Sequence, residues 1–592
     1  MMRPMRRRLK NVPDEELMKA LKRGGYIGGL INDGNTCFMN SVIQSLASSK
    51  TFVALLQDEK LTEKEFSQSL KLLLQKLNLK HYKENQDYKT NPMLKTMKKT
   101  PDKNFLMGYN QEDAQEFFQT LLSELESDLK KGEDGSSTPN KEEPVYKDQL
   151  PEDAILGNDQ LGHLGKVYVP ANQIDPNLKD AEQRVIPYEL LTPVDGLSAE
   201  RIGCLKCGEM GGIRYSVISG LSLNLPSDNY AALKLTDLLK EWIKPEIIEG
   251  VDCNRCALSH VLGYQMDQLQ KLKEQDKPTS KFLVEKLEER ITQIEAELEK
   301  PIIDDEAVKK LYTKNMMQKS SKSKQIVMSR PPALLPIHIN RSVFDPMTYR
   351  VRKNNARVVF PLKLDLDPFV AEPEEINTDA RLPLSKKVVL GQDEWDEEVE
   401  QDEKVEKNGS AEPTEELEDL DEDLENTEEP IPDGEPKHDS DSCSISSAST
   451  ADSLEAPPYS DESSHNPMSN DSLTGPLVYQ LRSVIVHYGT HNYGHYIAYR
   501  KFRGVWWRTS DESIDIVDES EVLDAPGVFM LFYELDSLCE VVEDVGLDVE
   551  VEINEKVGEV DEIDHDEESV TDEDEKAREE EHTNQAFAIA SL

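Results

Sequence analysis

Cys37 stands between a glycine-containing turn and an apolar-periodic run in "GLINDGNTCFMNSVIQSL", residues 29–46. A thiolate is a strong nucleophile, and a helix N-terminus favours it through unpaired N–H groups and the positive end of the helix dipole. Asn35 and Thr36 are the expected caps of a helix starting at Cys37, and Gly34 lets the preceding turn approach closely. Phe38, Met39, Val42, Ile43 and Leu46 share one face, which would bury the helix and fix the thiol in space. Asn32, five residues earlier, carries an amide able to donate to an oxyanion beside the Cys37 N–H. A buried structural cysteine on a core helix fits this segment equally well, since free cysteine is often buried.

A nucleophilic thiol needs a base. His495, in "HNYGHYIAYR", follows a glycine and opens a strand, so its ring can face a cleft. His487, His491 and His495 are spaced by four and on a helix would form a metal-binding face. The Val, Tyr, Ile and Gly content reads as strand and turn instead, which excludes that reading. His487 is then a structural histidine and His491 a loop residue. Downstream, "WWRTSDESIDIV" offers Ser510 and Asp511, either able to accept from the far imidazole nitrogen. Asp511 also reads as an ordinary turn aspartate.

Seven cysteines, an odd number with two CxxC pairs, do not read as a secreted disulfide framework. "CLKC" at 204–207 and "CNRC" at 253–256 offer four thiolates, each pair on a tight knuckle, a set suited to tetrahedral zinc. The gap between the pairs exceeds the common ribbon spacing. It has room for the strand pair "RYSVISGLSLNL" and the helix-like "LTDLLKEWI". Reduced cysteines without metal are the alternative. Cys443 and Cys539 have no partner in sequence.

The elements that must position these groups follow from periodicity. Residues from 28 to about 130 are helical in pattern, as in "FSQSLKLLLQKL" and "QEDAQEFFQTLLSELESDL". Residues 131–185, rich in Gly, Ser, Pro and charge, are expected to be largely a surface insertion. Strand alternation runs from about 185 to 226, and 260–316 is helical. There Leu287, Ile291, Ile294 and Leu298 step as in a coiled coil but for barely two heptads, so a hairpin packed on its own domain is expected. "ALLPIHINRSVF" and "ARVVFPLKLDL" read as buried strands, and order is expected again from "GPLVYQLRSVIVHYG" to "PGVFMLFYEL".

With 592 residues the chain exceeds one usual core. The net charge of −48 makes nucleic acid and anionic membrane poor partners and a basic protein surface a better one. The acid is concentrated: residues 391–430 hold 20 Asp or Glu against two Lys, and 551–580 hold 15. Such segments bury too little apolar surface to offset their ordering entropy, so 371–475 and the C-terminal tail are expected to be disordered. No apolar run reaches the roughly 18 residues of a membrane span. The basic N-terminus is followed by no apolar stretch, so no secretory signal is expected. The expectation is a soluble cytoplasmic protein.

Four segments resemble one family. "GLINDGNTCFMNSVIQSL" resembles the Cys box of the ubiquitin-specific proteases and "YGTHNYGHYIAYR" their His box. "GYNQEDAQEFFQTLL" and "PGVFMLFYEL" are similar to two further motifs, in the same order. The Ser-Asp pair resembles the branch of fungal and mitochondrial-type members. The resemblance implies an α+β, papain-like fold of thumb, palm and fingers with a zinc ribbon in the fingers. The implied layout is a basic leader (1–26), a catalytic domain (27–536) and an acidic tail (537–592). Within the domain come a thumb (27–130), a surface insertion (131–185), fingers and palm (186–370, with the helical insertion 260–316), a disordered acidic insertion (371–475) and palm (476–536).

The resemblance implies Cys37 as nucleophile, His495 as base and Asn32 as oxyanion donor. It also implies Asp113 and Glu116 as contacts for ubiquitin's basic tail, with helix-surface charge as their plain alternative. The third catalytic position, usually Asp or Asn, falls on Ser510. Either Ser510 orients His495, or Asp511 does so or assists the oxyanion. The implied activity is hydrolysis after ubiquitin's C-terminal glycine through a thioester, with structural zinc and no catalytic cofactor. Two other readings remain: an inactive ubiquitin-binding scaffold, which Ser510 slightly favours, and a papain-like protease of general peptides, which the long finger region disfavours.

Overall fold

The computed structural model describes residues 25–81, 86–98, 113–130, 143–152, 154–226, 232–274, 280–303, 305–311, 316–347, 349–387, 475–490 and 493–540. The expected leader up to residue 24, the acidic run 391–430, the tail beyond 540, His491 and Cys443 lie outside the described residues.

The principal elements, in chain order, begin with helices α1 (Cys37–Leu46), α2 (Glu65–Asn78) and α3 (Ala114–Lys130). Strands β1 (Gly165–Pro170), β2 (Arg184–Leu190), β3 (Gly196–Cys204), β4 (Met210–Ile218) and β5 (Leu221–Asn224) follow. Then come α4 (Leu235–Ile243), β6 (Glu246–Cys253), α5 (Asn254–Glu274), α6 (Ser280–Leu298) and α7 (Asp305–Leu311). The chain continues through β7 (Gln318–Arg330), β8 (Leu334–Asn340), β9 (Ser342–Asp345) and β10 (Arg350–Lys353). It closes with β11 (Val478–Gly489), β12 (Gly494–Phe502), β13 (Val505–Ser510), β14 (Ser513–Val517), β15 (Val528–Leu535) and α8 (Asp536–Glu540).

The main sheet runs β14-β13-β12-β11-β15-β8-β5, with the short strand Lys363–Asp365 also paired to β11. β15, "VFMLFYEL", is buried along its whole length. Phe529, Met530 and Phe532 face the helical core with α1, α2 and α3, whereas Leu531, Tyr533 and Leu535 face a second core with α4. A strand with both faces covered needs no polar alternation, which is why it reads as a continuous apolar run.

Helix α1 is enclosed on every side: all ten residues are buried. Phe38 meets Phe117 of α3 edge to face at 5.9 Å, and Tyr496, Ala498 and Ile485 of the sheet share its core. Each fully buried apolar side chain contributes about 1.5–3 kcal/mol relative to exposure. Two polar residues of α1 find partners inside: Ser41 donates to the Phe38 carbonyl at 2.7 Å and Gln44 to the Gly28 carbonyl at 2.9 Å. The one-sided face expected from sequence is therefore part of a wholly interior helix.

A smaller sheet runs β6-β7-β3-β4. Helical structure here starts at Asn254, earlier than the expected 260, so the second cysteine pair straddles the junction of β6 and α5. Ile294 of α6 packs with Ala257, Leu258 and Val261 of α5 and with Val308 and Leu311 of α7, and Leu298 packs against the same cluster. The coiled-coil spacing thus serves a helical hairpin packed on its own domain.

Two expectations about insertions need correction. Residues 131–185 were expected to be largely a surface insertion; the described part from 143 forms a third sheet, ordered Val145–Tyr146, β2, β1, Ile155–Leu156. Val167 and Val169 of β1 are buried against Leu197 and Ile213, and it is this apolar stripe that the polar composition obscured. Residues 371–387, expected to begin a disordered insertion, are folded against the smaller sheet. The buried Arg201 of β3 donates to the carbonyls of Asn377, Asp379 and Leu382 at 2.7, 2.9 and 2.6 Å. Those bonds fasten a segment whose composition carries little apolar content of its own. Beyond the expected domain end at 536, helix α8 continues the fold to Glu540.

Candidate active site and cysteine cluster

Cys37 is the first residue of α1, with a side chain 4% exposed. Thr36 occupies the N-cap without a side-chain capping bond. Its hydroxyl and its backbone N–H both donate to Asn32 Oδ1 at 3.2 Å, so the expected cap instead fixes the preceding loop. Gly34 has a φ of 127°, in a region that side-chain-bearing residues rarely adopt.

The backbone N–H of Tyr496, the residue after His495, acts on the Cys37 thiol. Burial pushes the thiol up from its ordinary value. The N–H groups of Tyr496, Phe38 and Cys37 itself pull it down, and the charge of Asp511 adds to the rise. The sequence argument from the helix N-terminus alone pointed the other way. The dipole is present, but desolvation outweighs it.

His495 opens β12 opposite Tyr488 of β11. Its Nε2 lies 2.8 Å from Ser510 Oγ, at the end of β13. Asp511 occupies the turn between β13 and β14 with a φ of 54°, a region where aspartate is tolerated better than most residues. Its carboxylate faces away from the imidazole contact. Oδ2 accepts from Asn32 Nδ2 at 2.8 Å, and Oδ1 accepts from Asn40 Nδ2 at 2.8 Å. The Asp511 carbonyl accepts from Leu30 N–H at 3.1 Å, and Glu512 Oε1 accepts from Asn32 N–H at 2.9 Å. One turn of the hairpin thus touches the imidazole through Ser510 and the thiol loop through Asp511.

Arg500, fully buried on the same strand as His495, donates to Gln44 of α1 at 2.8 Å and to Asn78 at the end of α2. Burial pushes its guanidinium down to about 9. This bond joins the helix bearing the thiol to the strand bearing the imidazole. Asn40 and Gln44 were missed in the sequence. Their signal was two amides four apart within an apolar-periodic helix, a pattern that marks buried polar groups with partners.

Asp113 precedes α3 and accepts from Gln115 N–H at 2.7 Å as a helix cap. Its charge acts on the buried phenol of Tyr496, so it lies on the site's side of the helix. Glu116 is exposed in the first turn of α3. His487 is buried, its ring stacked on Tyr496 with centroids 4.3 Å apart, a structural placement as expected.

Cys204, Cys207, Cys253 and Cys256 converge, with all four sulfurs within 4.8 Å of one another. Cys204 and Cys256 are 3.7 Å apart, and Cys207 and Cys253 are 3.6 Å apart. Four sulfurs about 2.3 Å from a central tetrahedral ion are separated by about 3.8 Å, so the spacing fits a metal. The thiol chemistry agrees. Without a cation the group cannot hold four thiolates: hydrogen bonding to Cys204 and Cys253 pushes Cys207 up, and burial pushes Cys256 up to about 12. A divalent ion reverses that balance. These cysteines, and Cys37, form no disulfide.

The description "Ubiquitin carboxyl-terminal hydrolase" belongs to a family model that matches residues 28–533. This chain belongs to that family. Ubiquitin carboxyl-terminal hydrolase 1 of Saccharomyces cerevisiae is 43% identical, over 88% of this chain and 80% of the relative. Ubiquitin carboxyl-terminal hydrolase 30 of Xenopus tropicalis is 23% identical, over 86% and 82%. Among solved structures, the SAGA Ubp8/Sgf11/Sus1/Sgf73 DUB module bound to ubiquitin aldehyde aligns over 88% of this chain and 73% of that one, with 15% identity and a TM-score of 0.44.

Proposed function

We infer that this chain is a thiol-dependent ubiquitinyl hydrolase, cleaving the isopeptide or peptide bond after the C-terminal glycine of ubiquitin. The observation that carries the reading is the one turn that holds the His495 imidazole through Ser510 and the loop before Cys37 through Asp511, in a chain of this family. With Nε2 committed to Ser510, Nδ1 is the nitrogen left to take the Cys37 proton. Burial raises the thiol, and its proton passes to the imidazole for the attack on the substrate carbonyl. The sulfur adds to that carbonyl, and the developing oxyanion is met by the Cys37 N–H and Asn32 Nδ2. Asn32 has two amide hydrogens; Asp511 takes one and leaves the other for this task. The imidazolium returns its proton to the leaving amine, and water then cleaves the thioester. Asp113 and Glu116 offer negative charge to the basic tail of ubiquitin.

In this assignment Ser510 is the orienting member of the triad. A hydroxyl fixes the tautomer but stabilises the imidazolium less than a carboxylate does. Hydrolysis of a ubiquitin C-terminal fluorogenic amide by Ser510→Ala is therefore expected to fall about 10- to 100-fold in kcat, well below the ~10⁴ lost when a triad carboxylate is neutralised. An unchanged rate would remove Ser510 from the assignment. Wild-type protein that binds ubiquitin without turnover would favour the inactive scaffold.

The four cysteines would hold zinc, which supplies a structural cross-link at the end of the smaller sheet and no step of the reaction. Elemental analysis of the purified protein is expected to find one zinc per chain. Cys253→Ser should lose it and lower the melting temperature, because metal binding free energy becomes folding free energy. Metal-free protein with an unchanged melting temperature would refute the assignment.

A further inference from the structure

Strands β9 and β10 form a hairpin with register Ser342↔Lys353 to Asp345↔Arg350. Its tip is apolar and exposed: Met347 is 91% and Tyr349 81% accessible, and Phe344 meets Tyr349 edge-on. Its base is held firmly. Arg341, buried before the hairpin, donates to the carbonyls of Val528, Asn354 and Ala356 at 2.7, 3.0 and 2.8 Å. Asn354, just after it, donates to the Pro226 carbonyl at 2.9 Å.

Between these fixed points, Lys353 turns its ammonium onto β11. It donates to the His487 carbonyl at 2.7 Å, to the Gly489 carbonyl at 3.1 Å and to His487 Nδ1 at 3.1 Å. The two carbonyls flank Tyr488, the residue paired with His495 across the ladder. The contact at the start of β12 is also tight. A Cβ at Gly494 would strike the Tyr488 carbonyl and the His487 ring, so only glycine lets the strands close there. Three donors on one ammonium match three acceptors on one strand end, leaving no ammonium hydrogen for solvent. Burial and the neighbouring Arg341 push that ammonium down to about 8, the mark of a group held for its hydrogen bonds at some cost in solvation.

We propose that Lys353 is a positioning residue for the hydrolase reaction: its ammonium clasps the end of β11 and thereby sets the place of His495 at the start of β12. The proposal rests on the reading of Cys37 and His495 as the reacting pair. Lys353 touches neither of them, and it acts through the Tyr488–His495 pairing. A base displaced by an ångström loses a large part of its effect on the transition state while leaving substrate docking nearly intact.

The test compares wild type, Lys353→Met and Lys353→Arg on the ubiquitin C-terminal fluorogenic amide, with kcat and KM separated. Melting temperatures and circular dichroism of the same samples count the folded molecules. Per folded molecule, Lys353→Met is expected to lose about tenfold or more in kcat with KM changed less than about threefold, and Lys353→Arg to recover most of the loss because its fork also reaches two carbonyls. Several outcomes would overturn the proposal: an unchanged kcat, a loss confined to KM, a loss matched by fewer folded molecules, or no recovery by arginine. A silent wild type would instead sink the parent reading, and this one with it.

Discussion

Cys37→Ala is expected to abolish hydrolysis of the ubiquitin C-terminal amide while leaving the fold and ubiquitin binding in place. In the proposed reaction the thiol supplies the attacking atom. Loss of the nucleophile in a hydrolase of this logic costs up to about 10⁶-fold in kcat, so activity should fall by at least ~10⁴. Stability should change little. The side chain shrinks by one sulfur atom at the first position of α1, where the cavity left is small and the helix remains enclosed by Phe38, Val42 and Phe117. The contrast between an intact melting transition and a silent reaction separates a catalytic thiol from a structural one. Appreciable turnover by the variant would leave Cys37 as the core cysteine that its burial alone suggests.

The second large effect is expected at Asp511. Its carboxylate receives Asn32 and Asn40 at once, so the loop before the thiol, the first turn of α1 and the β13–β14 turn share one anchor. Asp511→Ala frees both amides. Asn32 then loses the partner that aims it, and the oxyanion loses a preorganised donor. Removing such a donor costs about 10²–10³ in kcat, and that range is expected here, with KM less affected. The change also removes the negative charge that raises the Cys37 thiol. The pH at which iodoacetamide labels Cys37 at half its maximal rate should therefore move down while hydrolysis falls. Opposite movements of reactivity and turnover distinguish an oxyanion support from a partner of the imidazole. If Asp511→Ala kept its turnover while Ser510→Ala lost everything, the division of labour drawn between them would be wrong.

Much of this site was legible in the sequence because its clues are local. A turn, a cysteine and an apolar run define α1; a glycine before a histidine and a Val/Ile/Tyr-rich stretch define β12. Paired cysteines declare themselves by spacing. The α5–α6 hairpin was legible because two heptads are too few for a coiled coil. Other features were hidden because they depend on residues far apart in the chain. Asn40 and Asp511 are separated by 471 positions, and nothing in "SDES" tells which of its two polar residues faces the imidazole. The direction of the thiol's shift depends on how much protein covers it, and a helix N-terminus seen alone predicts the opposite sign. Residues 377–382 look like coil by composition and are ordered by one arginine from another strand.

The bond from Arg500 to Gln44 spans 456 residues, and that from Asn32 to Asp511 spans 479. β15, an interior strand of the main sheet, lies far downstream of Cys37 in the chain. During vectorial synthesis, at about 5–20 residues per second, the thiol therefore leaves the ribosome long before its base and the central strand exist. While the residues between them are made, the cysteine stands without the imidazole. The sheet closes when β15 inserts between β11 and β8, both made before it. A chain broken off before residue 528 lacks the strand that joins β11 to β8, so such a copy is expected not to hold the sheet that carries His495.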